Sequence, residues 1–209
     1  MKNLLFVLFL IPIIAIAQDK TKAMVKKGVD TSSYIPVGLK IGDKAPIIKG
    51  VALNGKLINS DETLKEKSIV LIFYRGKWCP VCSRYLSNLN DSLQYILNNN
   101  AEVFVVGPET FENTEKIADK TEATFTLIPD TSFQILNDYD VLFNVTKKYQ
   151  NKVKTFLRIS IAKNNNQSVA QLPVPATYII GQDGLIKWRH FNYDYTKRAS
   201  VREIIDNLK

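Results

Sequence analysis

"SIVLIFYRGKWCPVCSRYL", Ser68 to Leu86, is the stretch on which the fold turns. Its first part, Ser68 to Arg75, is a continuous apolar run of strand length, rich in β-branched and aromatic residues. Such a strand is covered on both faces, as in the middle of an α/β sheet. Both cysteines of the chain, Cys79 and Cys82, follow directly. After them Tyr85, Leu86, Leu89, Leu93 and Ile96-Leu97 recur at helical spacing. "AEVFVVG", Ala101 to Gly107, is a second buried strand closed by Pro108. Strand, helix, strand over Ser68 to Gly107 predicts a βαβ unit with parallel strands.

Upstream, "KIGDKAPIIKGVALNGKLIN" places an Asn54-Gly55 turn between short apolar stretches, which predicts a β-hairpin. Downstream come a short helix near Glu112 to Lys120 and a strand at Phe125 to Ile128. A long polar insertion of helix and loop runs from Val145 to Gln171. "PATYIIGQDGLIKWRHF" reads as a hairpin, with strands Ala176 to Ile180 and Leu185 to Phe191. A closing amphipathic helix has Ser200 as N-cap, Glu203 three residues on, and Ile204, Ile205 and Leu208 as its apolar face.

The chain has 209 residues, 45% hydrophobic and 23% charged, which fits one globular domain. Its start reads as a signal peptide. Lys2 supplies the positive end, Leu4 to Ile14 is nearly all apolar, and Ala15-Ile16-Ala17 suits a signal peptidase. The run is short of the roughly 20 residues a spanning helix needs. The expected organisation is a signal peptide over 1–17, a polar basic tail over 18–38 and one domain over 39–209. That predicts a periplasmic or secreted protein with no stable membrane insertion after cleavage.

The net charge is +8 and mostly dispersed. Lys20, Lys22, Lys26 and Lys27 form one cluster, read as a solvated tail. Basic residues are not grouped with stacking aromatics, so nucleic acid is not an expected partner.

Three readings compete for the Cys79-Pro80-Val81-Cys82 pair. A disulfide across so small a loop removes little unfolded-state entropy, so a stability staple is weak. A structural zinc site wants four ligands, and the chain offers two cysteines and His190. A redox dithiol fits best. A helix N-terminus lowers a thiol's pKa, Pro80 suits the first turn, and Arg75, Lys77 and Arg84 add positive potential. Cys79 is then the cap, nearest solvent and the more acidic thiol. Cys82 faces it from the first turn and stays closer to normal.

"WCPVC" after an apolar strand resembles the thioredoxin superfamily. Together with "IGDKAP" (Ile41 to Pro46), "FYRGKWCPVC" and "LPVPATYIIGQDGLIKWRHFNYDYTKRAS", it resembles the peroxiredoxin-like AhpC/TSA family. The resemblance runs from about Leu39 to the C-terminus. It implies an α/β thioredoxin-like fold, a central mixed β-sheet flanked by helices, with an N-terminal β-hairpin extension. It also implies a cis-proline at Pro175 opposite the dithiol, with the backbone of Val174 pairing with bound substrate.

The match has departures. Registering Cys82 on the family's attacking cysteine puts Arg75 at the usual Pro and Cys79 at the usual Thr. The strand Arg that helps bind peroxide falls on Pro175. Arg75 is then the candidate to supply the missing charge, and Trp78 to shield the pair or touch substrate. Tyr193, Tyr195 and Arg198 read as structural parts of the tail motif.

The leading reading is an exported peroxiredoxin-like thiol oxidoreductase. It reduces hydroperoxides through the Cys79/Cys82 couple, with Cys82 attacking as thiolate and Cys79 condensing with the resulting sulfenic acid, and is re-reduced by a thioredoxin-like electron donor. One alternative is a thiol-disulfide reductase acting on protein disulfides, with Cys79 attacking and Cys82 resolving. Another is a Cu(I)-binding module on the same fold, since two thiolates are soft ligands. None of the motifs asks for a cofactor.

Overall fold

The computed structural model describes Asp19 and residues 21–208. The segment read as a signal peptide lies outside the described residues. Among them, no helix is long and apolar enough to cross a membrane.

The centre is a five-stranded mixed sheet ordered β5-β4-β3-β8-β9. Its strands are β3 (Ser68–Phe73), β4 (Ala101–Gly107), β5 (Thr126–Pro129), β8 (Thr177–Ile180) and β9 (Ile186–His190). β3 runs parallel to β4, and β4 parallel to β5; β8 is antiparallel to both β3 and β9. The quoted stretch is therefore the middle strand, paired on both edges.

Its alternate side chains feed two cores, as strand geometry requires. Val70, Ile72 and Tyr74 point into one core, with Leu86, Leu89 and Ile96. Ile69, Leu71 and Phe73 point into the other, with Ile48, Leu136 and Tyr139. Coverage of both faces explains why the run is continuous rather than alternating.

The Asn54-Gly55 turn joins β1 (Lys49–Val51) and β2 (Leu57–Asn59) in the antiparallel hairpin the sequence predicts. The short helix α1 (Ser60–Leu64) leads into β3. The helix after the cysteines divides into α2 (Pro80–Asp91) and α3 (Leu93–Leu97), with Ser92 between them. α4 (Phe111–Thr121) connects β4 to β5, and α5 (Gln134–Asp138) follows β5. The polar insertion holds α6 (Lys147–Leu157) and α7 (Ile161–Asn164). It is clasped at its base by β6 (Leu142–Asn144) pairing with β7 (Gln171–Pro173), a contact the sequence did not announce. In the last helix, α8 (Val201–Asp206), Ser200 and Glu203 form a complete capping box.

The stretch read as a solvated basic tail is in fact packed. Residues 21–26 are helical, Met24 and Val29 are buried in the first core, and Val29 bridges Val145 of the insertion. Isolated apolar residues in a polar stretch carry too little periodicity to reveal this.

Candidate functional site

β3 ends at Phe73, and the chain turns through Tyr74 to Trp78 before α2 begins at Pro80. Gly76 makes the turn possible. Its φ is +139°, and a Cβ there would lie 2.6 Å from Trp78 Nε1 and 3.1 Å from a Glu109 carboxylate oxygen.

Cys79 is the N-cap of α2, and its sulfur accepts the backbone N–H of Cys82 at 3.4 Å. Both thiols are free. Cys79 is the more exposed of the two, as expected, but only just: it is 2% exposed against 1% for Cys82, and both are buried. Both thiols sit with Trp78 in the first core, a burial that helix geometry alone does not specify.

The two thiols are electrically unlike. Hydrogen bonding from the Cys82 thiol, and then the charges of Arg75 and Arg198, bring Cys79 down to about 6 against the opposing effect of burial. Burial pushes Cys82 well above the ordinary thiol value, and the neighbouring Cys79 adds to it. The predicted order is correct, but Cys82 is raised rather than near normal. The register that makes Cys82 the attacking thiolate therefore conflicts with the electrostatics, which favour the charge on Cys79.

Arg75 is the group that answers that charge. It is 1% exposed, and it forms no ion pair with a carboxylate among the described residues. Its Nη2 donates to the Tyr149 hydroxyl at 2.8 Å. Its guanidinium lies over the rings of Tyr195 at 4.0 Å and of Trp78 and Tyr149 at 5.2 Å. An isolated buried cation is costly, so a neighbouring thiolate at Cys79 is its natural counter-ion.

The second arginine is Arg198, not Lys77 or Arg84. It donates to the Phe73 carbonyl at 3.0 Å, lies over the Tyr85 ring at 4.3 Å and acts on both thiols. Its place in the tail motif suggested structure only; the chain's return to the sheet end puts it at the dithiol.

Among the described residues, eight buried side-chain N and O atoms have no hydrogen-bond partner within the chain. They belong to Tyr74, Arg75, Trp78, Tyr85, Thr177 and Arg198, grouped where β3 runs into α2. Buried polar groups are usually paired, so such a cluster marks a place built for something other than stability. All six side chains can donate. Tyr85 faces Thr177 and Arg198 without reaching hydrogen-bond geometry.

Sequence reasoning also missed an acid. No carboxylate stands between Ile69 and Asn90, yet Glu109, from the loop after β4, lies fully buried beneath the turn. It accepts the Lys77 N–H at 2.7 Å and Asn164 Nδ2 at 2.7 Å. Burial pushes its carboxyl up to about 7. Through Asn164 it ties the turn before Cys79 to α7.

The assignment of Pro175 needs correction. No cis peptide bond occurs among the described residues, so Val174–Pro175 is trans. Val174 is fully buried, its N–H donates to the Val141 carbonyl at 2.7 Å and its own carbonyl accepts from Ala176 at 2.7 Å. Both of its backbone groups are thus engaged inside the fold, which leaves no free edge for substrate pairing. His190 sits at the surface, 3.1 Å from the Lys197 carbonyl. No group of three or more His, Cys, Asp or Glu able to hold a metal occurs among the described residues.

Known proteins resemble this chain in fold and, more weakly, in sequence. The solved peroxidoxin BcpB of Mycobacterium tuberculosis aligns at a TM-score of 0.62 with 14% identity, covering 81% of this chain and 96% of that one. AhpC of Enterococcus faecalis aligns at 0.61 with 16% identity, over 80% of this chain and 89% of its own. At identities this low the likeness is one of fold. The peroxiredoxin Bcp of Bacillus subtilis (strain 168) is 27% identical over 103 residues, 49% of this chain and 65% of that protein's length. Residues 41–189, from the strand-entry "IGDKAP" through the dithiol to the final hairpin, match the AhpC/TSA family, and it is to this family that the chain belongs.

Proposed function

We propose that the protein is a thiol-dependent peroxidase in which Cys79 is the attacking thiolate and Cys82 the resolving thiol. One observation carries the reading. Cys79 is disposed to be a thiolate, yet it is almost shut off from solvent, and the two arginines that act on it, Arg75 and Arg198, each carry buried N–H groups without a partner. A small oxidant can enter such a place and be oriented there; a folded protein's disulfide has far less room.

In the first step the Cys79 thiolate attacks the terminal oxygen of a hydroperoxide. The O–O bond breaks, Cys79 becomes a sulfenic acid, and the alcohol leaves with a proton from solvent or a neighbouring donor. The free N–H groups of Arg75 and Arg198 stabilise charge developing on the leaving oxygen. In the second step Cys82 attacks the Cys79 sulfur, an S–S bond forms and water is released. A dithiol donor of the thioredoxin type then reduces that disulfide and is itself oxidised. The signal-like start supports an exported setting.

The test is hydroperoxide consumption with a thioredoxin-type reductant, set beside sulfenic acid trapping. Cys82→Ser should accumulate a dimedone-reactive sulfenic acid at Cys79, and Cys79→Ser should not turn over. Turnover no faster than that of free cysteine sinks the proposal.

A disulfide reductase remains a second reading, because a low-pKa Cys79 backed by a high-pKa Cys82 is also the order such an enzyme needs. Cys82→Ser mixed with a disulfide-containing protein separates the two: a stable mixed disulfide through Cys79 favours the reductase.

A further inference from the structure

Residues 141–182 contain six Lys or Arg and no Asp or Glu. α6 lies within that stretch and packs beside the helical residues 21–26. Between them runs a groove of about 570 Å³. Lys22 and Lys26 line one wall and Lys148 and Lys152 the other, with no carboxylate in the lining. None of the four makes an ion pair among the described residues. Val25, Tyr149 and Phe156 give the groove its apolar surface, and Phe156 is 76% exposed.

The groove adjoins the redox site. Tyr149 lines it, and the hydroxyl of the same tyrosine accepts from Arg75 at 2.8 Å. Anything seated there lies one side chain away from the guanidinium beside Cys79.

We propose that this groove docks an acidic protein surface bearing an apolar anchor, that of the dithiol donor which re-reduces the Cys79–Cys82 disulfide. The proposal rests on the redox reading above. Four unpaired ammonium groups flanking an exposed aromatic complement an acidic surface with one apolar residue at its centre, and aromatic contacts of that kind dominate binding energy. The uniform sign of charge over the insertion also raises the encounter rate of an acidic partner at low salt. A concave cleft suits a protruding protein segment better than the flat plane of a bilayer. The buried thiols need a donor held at one defined place, and the groove offers it.

The experiment oxidises the full protein with diamide and follows the return of thiols. An acidic thioredoxin is the donor in one arm and dithiothreitol in the other. Charge reversal of all four lysines (K22E, K26E, K148E, K152E) should slow the thioredoxin arm by about tenfold or more at low salt and flatten its salt dependence. The pair K148E/K152E should act in the same direction by a smaller factor. The dithiothreitol arm should stay within about twofold, and K49E/K56E, on the hairpin of the opposite layer, should leave both arms unchanged.

An unchanged thioredoxin rate in the charge-reversed protein overturns the proposal, and so does an equal loss in both arms. It is also overturned if the four lysines prove necessary for binding to phosphatidylglycerol vesicles but not for reduction. Because diamide supplies the oxidation, absence of peroxide turnover counts against the peroxidase reading alone, and absence of the charge effect against the docking alone.

Discussion

Glu109 accepts the backbone N–H of Lys77 at 2.7 Å, two residues ahead of Cys79, from a position closed to solvent. The same carboxylate accepts a hydrogen bond from Asn164 Nδ2 at 2.7 Å, and Asn113 Nδ2 donates to the Asn164 carbonyl at 2.8 Å. The turn that delivers Cys79 to its helix is thus anchored from beneath by an acid in the loop that follows β4.

Glu109→Ala takes the acceptor from the part-buried Lys77 N–H and one of the two acceptors from Asn164 Nδ2, which keeps Asn165 Oδ1, and should cost about 1–3 kcal/mol of stability, measured by urea unfolding. Glu109→Gln keeps one acceptor and should cost less. If Glu109→Ala unfolds at the wild-type urea concentration, the anchor is not one.

The same acid gives a pH signature. Its folded value of about 7 lies above the ordinary 4.5, so folding takes up a proton between the two. Stability from protonated Glu109 is full below 4.5 and is lost as pH rises through 7, on the order of 3 kcal/mol. Cys79 has the opposite sign: it falls from an ordinary 9.0 to about 6, so its contribution is lost as pH drops through 6. The stability difference between wild type and Glu109→Gln, free of the cysteine contribution, should therefore shrink steadily from pH 4.5 to 7. A flat difference refutes the assignment.

Alkylation of the reduced protein should label Cys79 before Cys82, with a midpoint near 6. Cys82→Ala removes the largest stabiliser of that thiolate and should raise the midpoint, whereas Cys82→Ser keeps a donor and should raise it less. Mass spectrometry of the first label decides; Cys82 labelled first contradicts the order.

Arg75→Met and Arg198→Met should each raise the Cys79 midpoint, Arg75 by more, because its charge acts more strongly. Cys79→Ser should itself destabilise the protein near neutral pH by about 2–4 kcal/mol, since it strips buried Arg75 of its counter-ion. Thiolate absorbance in the ultraviolet and thermal melting read the two effects; equal midpoints in both arginine variants would contradict the ranking.

A stabilised thiolate also stabilises the dithiol over the disulfide. With Cys79 near 6, this should make the couple at pH 7 more oxidising by about 30 mV than the same couple with ordinary thiols. Equilibration with glutathione buffers gives the value. Raising the thiol pKa through Arg75→Met should shift it to more negative potential; no shift removes the link between thiolate and potential.

The parts of this protein that local rules govern were readable directly. The continuous apolar run gave the central strand because burial on both faces suppresses alternation. Asn54-Gly55 specified a hairpin, Cys79-Pro80 a helix start, and Ser200 with Glu203 a capping box, since each depends on residues only a few positions apart. The acidity of Cys79 was legible in part for the same reason, since a helix cap and its bond to Cys82 belong to one helix turn, whereas burial, a tertiary effect, raises Cys82.

What surrounds the dithiol was decided by tertiary structure. Glu109, Tyr149 and the pair Tyr195 and Arg198 come from three separate parts of the chain, and no spacing relates them to Cys79. The burial of both thiols, the trans Val174–Pro175 bond with its engaged backbone, and the packing of Met24 and Val29 depend likewise on which distant segments share a core. Sequence determines where a thiolate is favoured by its own helix; only the folded chain determines which cation balances it, which acid holds its turn and what can reach it. Charge and burial act through space over several ångströms, and that distance has no counterpart in residue number.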